Sequence, residues 1–326
     1  MTQNHNGEQN IVMHEFHVPT GDDGISLYVR NKRRADLKDL SAANTVLFVH
    51  GSTYPASTSF DLPLGGESWM ERLARSGYNV YLVDQRGYGL SSRPPEMDRP
   101  AFEIPPVNRT KSAVADMELV VKFILKLDDI PAINLIGWSW GTTVMSFFTS
   151  RHNSLVNKLV LLAPQWVRDT PSMSDTGGAL GAYRLVSRAD AKERWLNGVP
   201  PAKRHLVLPD DWFDLWADAT FATDPWGKHQ SPQMLRAPNG TVQDSREYWA
   251  AGQPIYNPGD IKVPVLIVHA DLDRDLPLEM ARTFFSLLVN ARYRRWVEIG
   301  DGTHSAFMEK CRWQIFAAVE AFLAGK

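Results

Sequence analysis

Short runs of apolar and β-branched residues alternate along the chain with stretches in which apolar residues recur every three to four positions. The runs Ile11–Val18, Ile25–Arg30, Thr45–His50, Val80–Asp84, Ile133–Gly137, Lys158–Ala163, Val265–Ala270 and Arg292–Ile299 predict strands. Several are almost wholly apolar, as strands covered on both faces must be. Helical periodicity is found over Glu67–Ser76, Lys111–Leu127, Gly141–Arg151 and His304–Leu323. Val114, Met117, Val121 and Ile124 form the buried stripe of the second helix; Phe307, Cys311, Ile315, Ala318 and Phe322 form that of the last. Strands separated by helices predict an α/β fold: a mostly parallel, eight-stranded sheet flanked by helices.

The alternation breaks between Val167 and Pro258. That stretch is helix-like and polar-aromatic, with turn clusters at Pro171–Asp175 and Ala237–Gly240, and it holds Trp195, Trp212, Trp216, Trp226 and Trp249. It predicts a mostly helical cap (167–258) inserted after the sixth strand of a core formed by 1–166 and 259–326.

Composition narrows the class without naming a chemistry. The 326 residues are 44% hydrophobic and 22% charged, with a net charge of −2, which suits a globular core and gives no basic surface for nucleic acid. The run Arg30-Asn-Lys-Arg-Arg34 reads as a solvated strand end, and no arginine cluster marks an anionic substrate pocket. The only cysteine, Cys311, rules out disulfides within the chain and reads as a small core residue. The polar N-terminus, with His5 in an expected tail, lacks the apolar segment of a secretory signal, and no window approaches the ~20 apolar residues of a membrane span. A cytoplasmic protein without membrane contact is expected; oligomeric state is not encoded legibly.

Chemistry concentrates in "NLIGWSWGTT" (134–143), where Ser139 falls between a predicted strand and a predicted helix. Glycines at 137 and 141 suit a turn so sharp that strand and helix backbones nearly touch. Such a turn projects the serine oxygen beyond the sheet and leaves the Trp140 amide at a helix N-terminus, available to an oxyanion. A hydroxyl needs a base and an orienting acid to become a nucleophile. Of nine histidines, His304 in Gly300-Asp-Gly-Thr-His304 follows the last strand, where a loop can lower an imidazole onto the serine. The acid lies in "DLDRDLP" (271–277), with Asp271, Asp273 and Asp275 all candidates. A calcium loop is disfavoured there, because Leu276 and Arg282 stand where the turn glycine and bidentate glutamate belong. No metal or cofactor is expected.

Taken together, His50-Gly51, "DQRGYGLSS" (84–92), "GWSWG" (137–141), "HADLDRDLP" (269–277) and "GDGTH" (300–304), each after a strand and in this order, resemble the α/β-hydrolase superfamily over nearly the whole chain. The resemblance implies that the acid stands four residues before a proline, which selects Asp273 before Pro277. It also implies Ser52 as the second oxyanion amide, with His50, Asp84 and Arg86 as loop and turn braces. A serine nucleophile disfavours dehalogenase and most epoxide hydrolase activities, whose relatives use aspartate. "DQRGYG" with "GWSWGT" is similar to proline iminopeptidases, but His50-Gly-Ser-Thr-Tyr-Pro55 replaces their His-Gly-Gly-Pro-Gly loop, which argues against aminopeptidase activity.

The expected activity is hydrolysis of a small carboxylic ester, lactone or related acyl substrate through Ser139, His304 and Asp273. Tyr54, Trp138, Trp166, Trp212 and Trp216 are the candidate substrate-binding residues, implying an apolar or aromatic group. Phe60 and Leu62 would extend the Tyr54 wall. Amide or carbon–carbon bond hydrolysis is the second expectation, and a triad-retaining ligand-binding protein with little turnover the third.

Overall fold

The computed structural model describes residues 10–326, so the N-terminal segment through Gln9, His5 included, lies outside the described residues. Strands β1 (Ile11–Pro19), β2 (Ser26–Arg34), β3 (Thr45–Val49), β4 (Asn79–Val83), β5 (Ile133–Trp138) and β6 (Val156–Leu162) are followed by β7 (Tyr183–Ser187) and β8 (Met234–Pro238), then β9 (Val265–Ala270) and β10 (Arg294–Ile299). Eight of them form one sheet in the order β1-β2-β4-β3-β5-β6-β9-β10. Pairing is antiparallel at β1–β2 and β2–β4, and parallel from β4 through β10. β3, β5 and β9 are buried at every position, as their largely apolar composition favours, with Thr45, Asn134 and His269 as the buried polar exceptions.

The principal helices are α1 (Trp69–Arg75), α2 (Thr110–Asp128), α3 (Trp140–Arg151), α4 (Arg188–Trp195), α5 (Asp210–Ala222), α6 (Leu278–Leu287) and α7 (Arg312–Leu323). In α2 the whole expected stripe, Val114, Met117, Val121 and Ile124, is buried. Because the central strands are parallel, the loops after β3, β5, β6, β9 and β10 all emerge at one sheet edge, where α/β sheets bind their ligands.

The structure differs from the sequence reading at several points. Within the mostly helical insertion between β6 and β9, β7 and β8 add an antiparallel pair, with Tyr183 opposite Pro238 through Ser187 opposite Met234. The last helix begins at Arg312, not His304, because Thr303–Cys311 form a loop with a 3₁₀ turn at Ala306–Met308. Its buried face is Arg312, Ile315, Phe316, Val319, Phe322 and Leu323, so Cys311 is a half-buried residue at the helix start. The run Arg30–Arg34 lies within β2, with Arg30 paired to Asp61 at 2.8 Å and Lys32 paired to Asp61 and Glu71 at 2.8 and 2.9 Å. Finally, α6 was not anticipated, although Met280, Ala281 and Phe284 are its buried stripe.

Candidate active site

Ser139 sits between β5 and α3 with φ 55° and ψ −123°, a left-handed conformation that costs a non-glycine residue about 1–3 kcal/mol. The two flanking glycines make it possible. A Cβ on Gly137 would stand 2.6 Å from the Gly141 carbonyl oxygen, and one on Gly141 would stand 2.5 Å from the Val49 oxygen. Any side chain would therefore push α3 off β5 and β3. Ser139 N–H donates to Leu162 O on β6 at 3.0 Å, and Thr142 N–H donates to Ser139 O at 2.9 Å. The turn is thus held at both ends while the side chain faces a cavity. Trp140 N–H, at the first helical position, has no acceptor within the helix.

The two tryptophans have structural work on opposite sides. Trp140 is fully buried and its indole donates to Thr110 Oγ1 at 2.9 Å, tying α3 to α2. Trp138 donates from Nε1 to the main-chain oxygen of His304 at 2.9 Å, and the two rings lie 5.3 Å apart. The serine strand therefore holds the histidine loop directly.

Asp273 is the carboxylate that meets the histidine: His304 Nδ1 donates to its Oδ2 at 2.9 Å. The Oδ1 of Asp273 accepts from the amides of Asp275 and Leu276 at 2.8 and 3.0 Å, which fixes the carboxylate's orientation. With the proton on Nδ1, Nε2 carries the lone pair of the neutral ring. The Ser139 Oγ–His304 Nε2 hydrogen bond is not formed, but both side chains line one cavity; such contacts are often long until substrate binds. The three loop aspartates serve different partners. Asp271 Oδ1 accepts from Gly302 N–H at 3.3 Å, and Asp275 Oδ2 pairs with Arg194 Nη2 at 2.7 Å. Burial opposes the charged imidazole, yet the Asp273 and Asp275 carboxylates outweigh it and hold the His304 pKa above its ordinary value.

His50 is wholly buried, with Nδ1 2.7 Å from Gly51 O and Nε2 accepting from Gln85 N–H at 2.9 Å. Burial pulls its pKa down to about 4, so the ring stays neutral and braces the loop. Asp84 accepts from Ser57 N–H at 2.9 Å and from Leu90 N–H at 2.9 Å, while Arg86 pairs with Asp116 at 2.6 Å. Ser52 lies on the cavity wall, and its carbonyl oxygen accepts from Tyr88 Oη and Arg184 Nη2, each at 2.9 Å.

The cavity is walled by Gly51, Ser52, Thr53, Tyr54, Trp138, Ser139, Arg194, Trp195, Asp275, His304 and Ser305. Tyr54 and Trp138 are thus on it, whereas Trp166, Trp212 and Trp216 are not. Trp166 packs between Tyr256 and Phe284, each 5.3 Å away, beneath the sheet edge. Trp212 covers the Arg312 guanidinium, 4.5 Å from its ring, and abuts Gly65. Trp216 is fully buried behind Tyr54 and Trp195, at 4.7 and 4.8 Å, so it supports the wall without reaching it. Phe60 stacks on Phe48 at 4.5 Å in the core, and Leu62 packs against that core.

Sequence reasoning missed the charge of this site. Three arginines of the insertion converge on it: Arg194 lines the cavity, Arg168 lines an adjoining polar lobe with Gln165 and Ser174, and Arg184 stands behind Ser52. They are 10 to 26 positions apart, so no run in the sequence signals them. Glu309 was missed as well: fully buried, it accepts from Thr303 N–H at 3.0 Å and Trp195 Nε1 at 2.8 Å. Burial pushes its pKa up to about 7.

The family model described as the alpha/beta hydrolase fold matches residues 44–310. The chain belongs to this family. Among its relatives, bovine protein ABHD8 is 24% identical over 294 residues, covering 85% of this chain and 56% of its own length. The chain thus spans only about half the length of the ABHD8 proteins it matches. YisY of Bacillus subtilis, an AB hydrolase superfamily protein, is 26% identical over 297 residues, covering 87% of this chain and 94% of its own. The solved serine hydrolase CCSP0084 of Cycloclasticus zankles shares the fold, with a TM-score of 0.64, 17% identity, and coverage of 96% of this chain and 99% of its own. Among the described residues no helix is long and apolar enough to cross a membrane.

Proposed function

We propose that the protein is a serine hydrolase of a small carboxylic ester or lactone, with Ser139 as nucleophile, His304 as base and Asp273 as the acid that orients it. The observation that carries this reading is the strained Ser139 turn facing the same cavity as a histidine whose Nδ1 is already held by a buried carboxylate. Nε2 takes the Ser139 proton as Oγ attacks the acyl carbon, and the resulting imidazolium is stabilised by Asp273. The amides of Ser52 and Trp140 receive the oxyanion, each donor lowering the barrier by roughly 3 kcal/mol. The imidazolium then protonates the leaving alcohol, and water repeats the sequence to release the acid.

Tyr54, Trp138 and Trp195 give one side of the cavity an aromatic surface, which suits an apolar or aromatic acyl or alcohol group. Residues 167–258 act as the cap that closes it. Turnover of p-nitrophenyl butyrate and of a γ-lactone tests the reading. Ser139→Ala should abolish both, and either rate surviving in that variant would remove Ser139 as nucleophile.

A further inference from the structure

The reacting nitrogen of His304 has a second carboxylate beside it. Asp275 Oδ2 lies 3.8 Å from Nε2, the atom that must face Ser139. A buried carboxylate so close competes with the serine: a small rotation would let it accept from Nε2–H and hold the imidazolium between two anions. What prevents this is a guanidinium from the insertion. Arg194, on α4, donates from Nε and Nη2 to that same Oδ2 at 2.9 and 2.7 Å. Its Nη1 is anchored on Ser174 Oγ at 2.8 Å and Thr53 Oγ1 at 3.4 Å, the latter beside Ser52.

We infer that Asp275 is a positioning residue for His304 and that the insertion governs it through Arg194. With α4 seated, both donors occupy Oδ2 and Nε2 stays free for Ser139. With α4 lifted, Asp275 is released onto Nε2 and the base is blocked. The cap thereby licenses the base only when it covers the cavity, which restrains hydrolysis at an open site. The other charged and titratable groups around the pair are Asp273 on the Nδ1 side, Glu309 behind the histidine loop, Arg184, which shares Thr53 Oγ1 with Arg194, Arg168, whose Nη1 donates to the main-chain oxygen of Asp275 at 3.2 Å, and the Tyr54 hydroxyl across the cavity. None of the last three supplies a donor to Oδ2, so Arg194 alone can hold it.

The inference rests on His304 being the base, and NMR titration of the His304 ring tests the coupling without relying on turnover. Arg194→Met should raise the ring's pKa by about one unit or more, and Asp275→Asn should lower it by a similar amount. Arg194→Lys, which keeps the charge and is the safer fold, should lie between wild type and Arg194→Met. In the acid limb of kcat/KM the same order should appear, with kcat of Arg194→Met reduced up to about tenfold at pH values below the raised pKa and largely restored in Arg194→Met/Asp275→Asn. Titration unchanged in both Asp275→Asn and Arg194→Lys would overturn the inference. So would a double variant as slow as Arg194→Met, since Arg194 would then act on substrate directly. Shifted titrations with full turnover in His304→Ala would instead sustain the coupling and overturn the assignment of the base.

Discussion

Trp138 Nε1 donates to the main-chain oxygen of His304 across 166 positions of sequence, at 2.9 Å. The residue before the candidate nucleophile thus ties directly to the loop of the candidate base. Trp138→Phe keeps most of the aromatic wall and leaves a part-buried carbonyl without its indole donor, at a cost of about 1 kcal/mol. The expected result is a kcat roughly tenfold lower with KM much less affected, since alignment rather than binding is lost. Unchanged kcat would show that the histidine loop is placed by other contacts.

The charges around His304 make a pH prediction. Its folded pKa is raised, and the base works only when neutral, so the rate should fall as pH drops through a value above 6.5. A kcat/KM profile flat well below that pH would contradict the assignment. The shift comes first from Asp273 on Nδ1 and then from Asp275, which lies beside Nε2 only in the folded loop.

Gly137 tests the turn itself. In Gly137→Ala the new Cβ would lie 2.6 Å from Gly141 O and 2.9 Å from Thr142 N, both main-chain atoms with nowhere to go. Stability should fall by roughly 1–3 kcal/mol or more, and esterase activity should fall further than stability explains. Urea unfolding beside steady-state kinetics separates the two effects. Equal stability and activity would mean that the close approach of α3 to β5 is dispensable.

Glu309 links the insertion to the histidine loop through Trp195 and Thr303. Its folded pKa of about 7 stands above the ordinary glutamate value of 4.5, so the folded state binds the extra proton. The sign follows: its contribution is fully present below about 4.5 and is lost as pH rises to 7, a span worth about 3 kcal/mol. Glu309→Gln should flatten the dependence of unfolding free energy on pH over that window. An unaltered slope would show that Glu309 titrates normally.

Periodicity and turn chemistry made the sheet and the serine turn legible. β9 runs over the same Val265–Ala270 that the apolar run marks, since a strand buried on both faces writes its limits in composition. The start of α7 was not legible, because the carboxyl of Glu309 bonds Thr303 and holds 303–311 as a loop despite a helical apolar stripe. Ser139 and His304 stood out through local context, whereas Asp273 was separated from Asp271 and Asp275 only by the family resemblance. The roles of Arg194, Asp275 and Trp138 depend on contacts between segments 81 to 166 positions apart, which no local pattern carries. The tryptophans of the insertion show the same limit: Trp195 and Trp216 share composition and neighbourhood, yet only Trp195 reaches the cavity.

Intact-protein mass spectrometry after incubation with a fluorophosphonate tests the central claim most directly. One adduct per chain should form and map to Ser139, be absent in Ser139→Ala, and form far more slowly in His304→Ala. An adduct on another residue, or undiminished labelling of Ser139→Ala, would contradict the account.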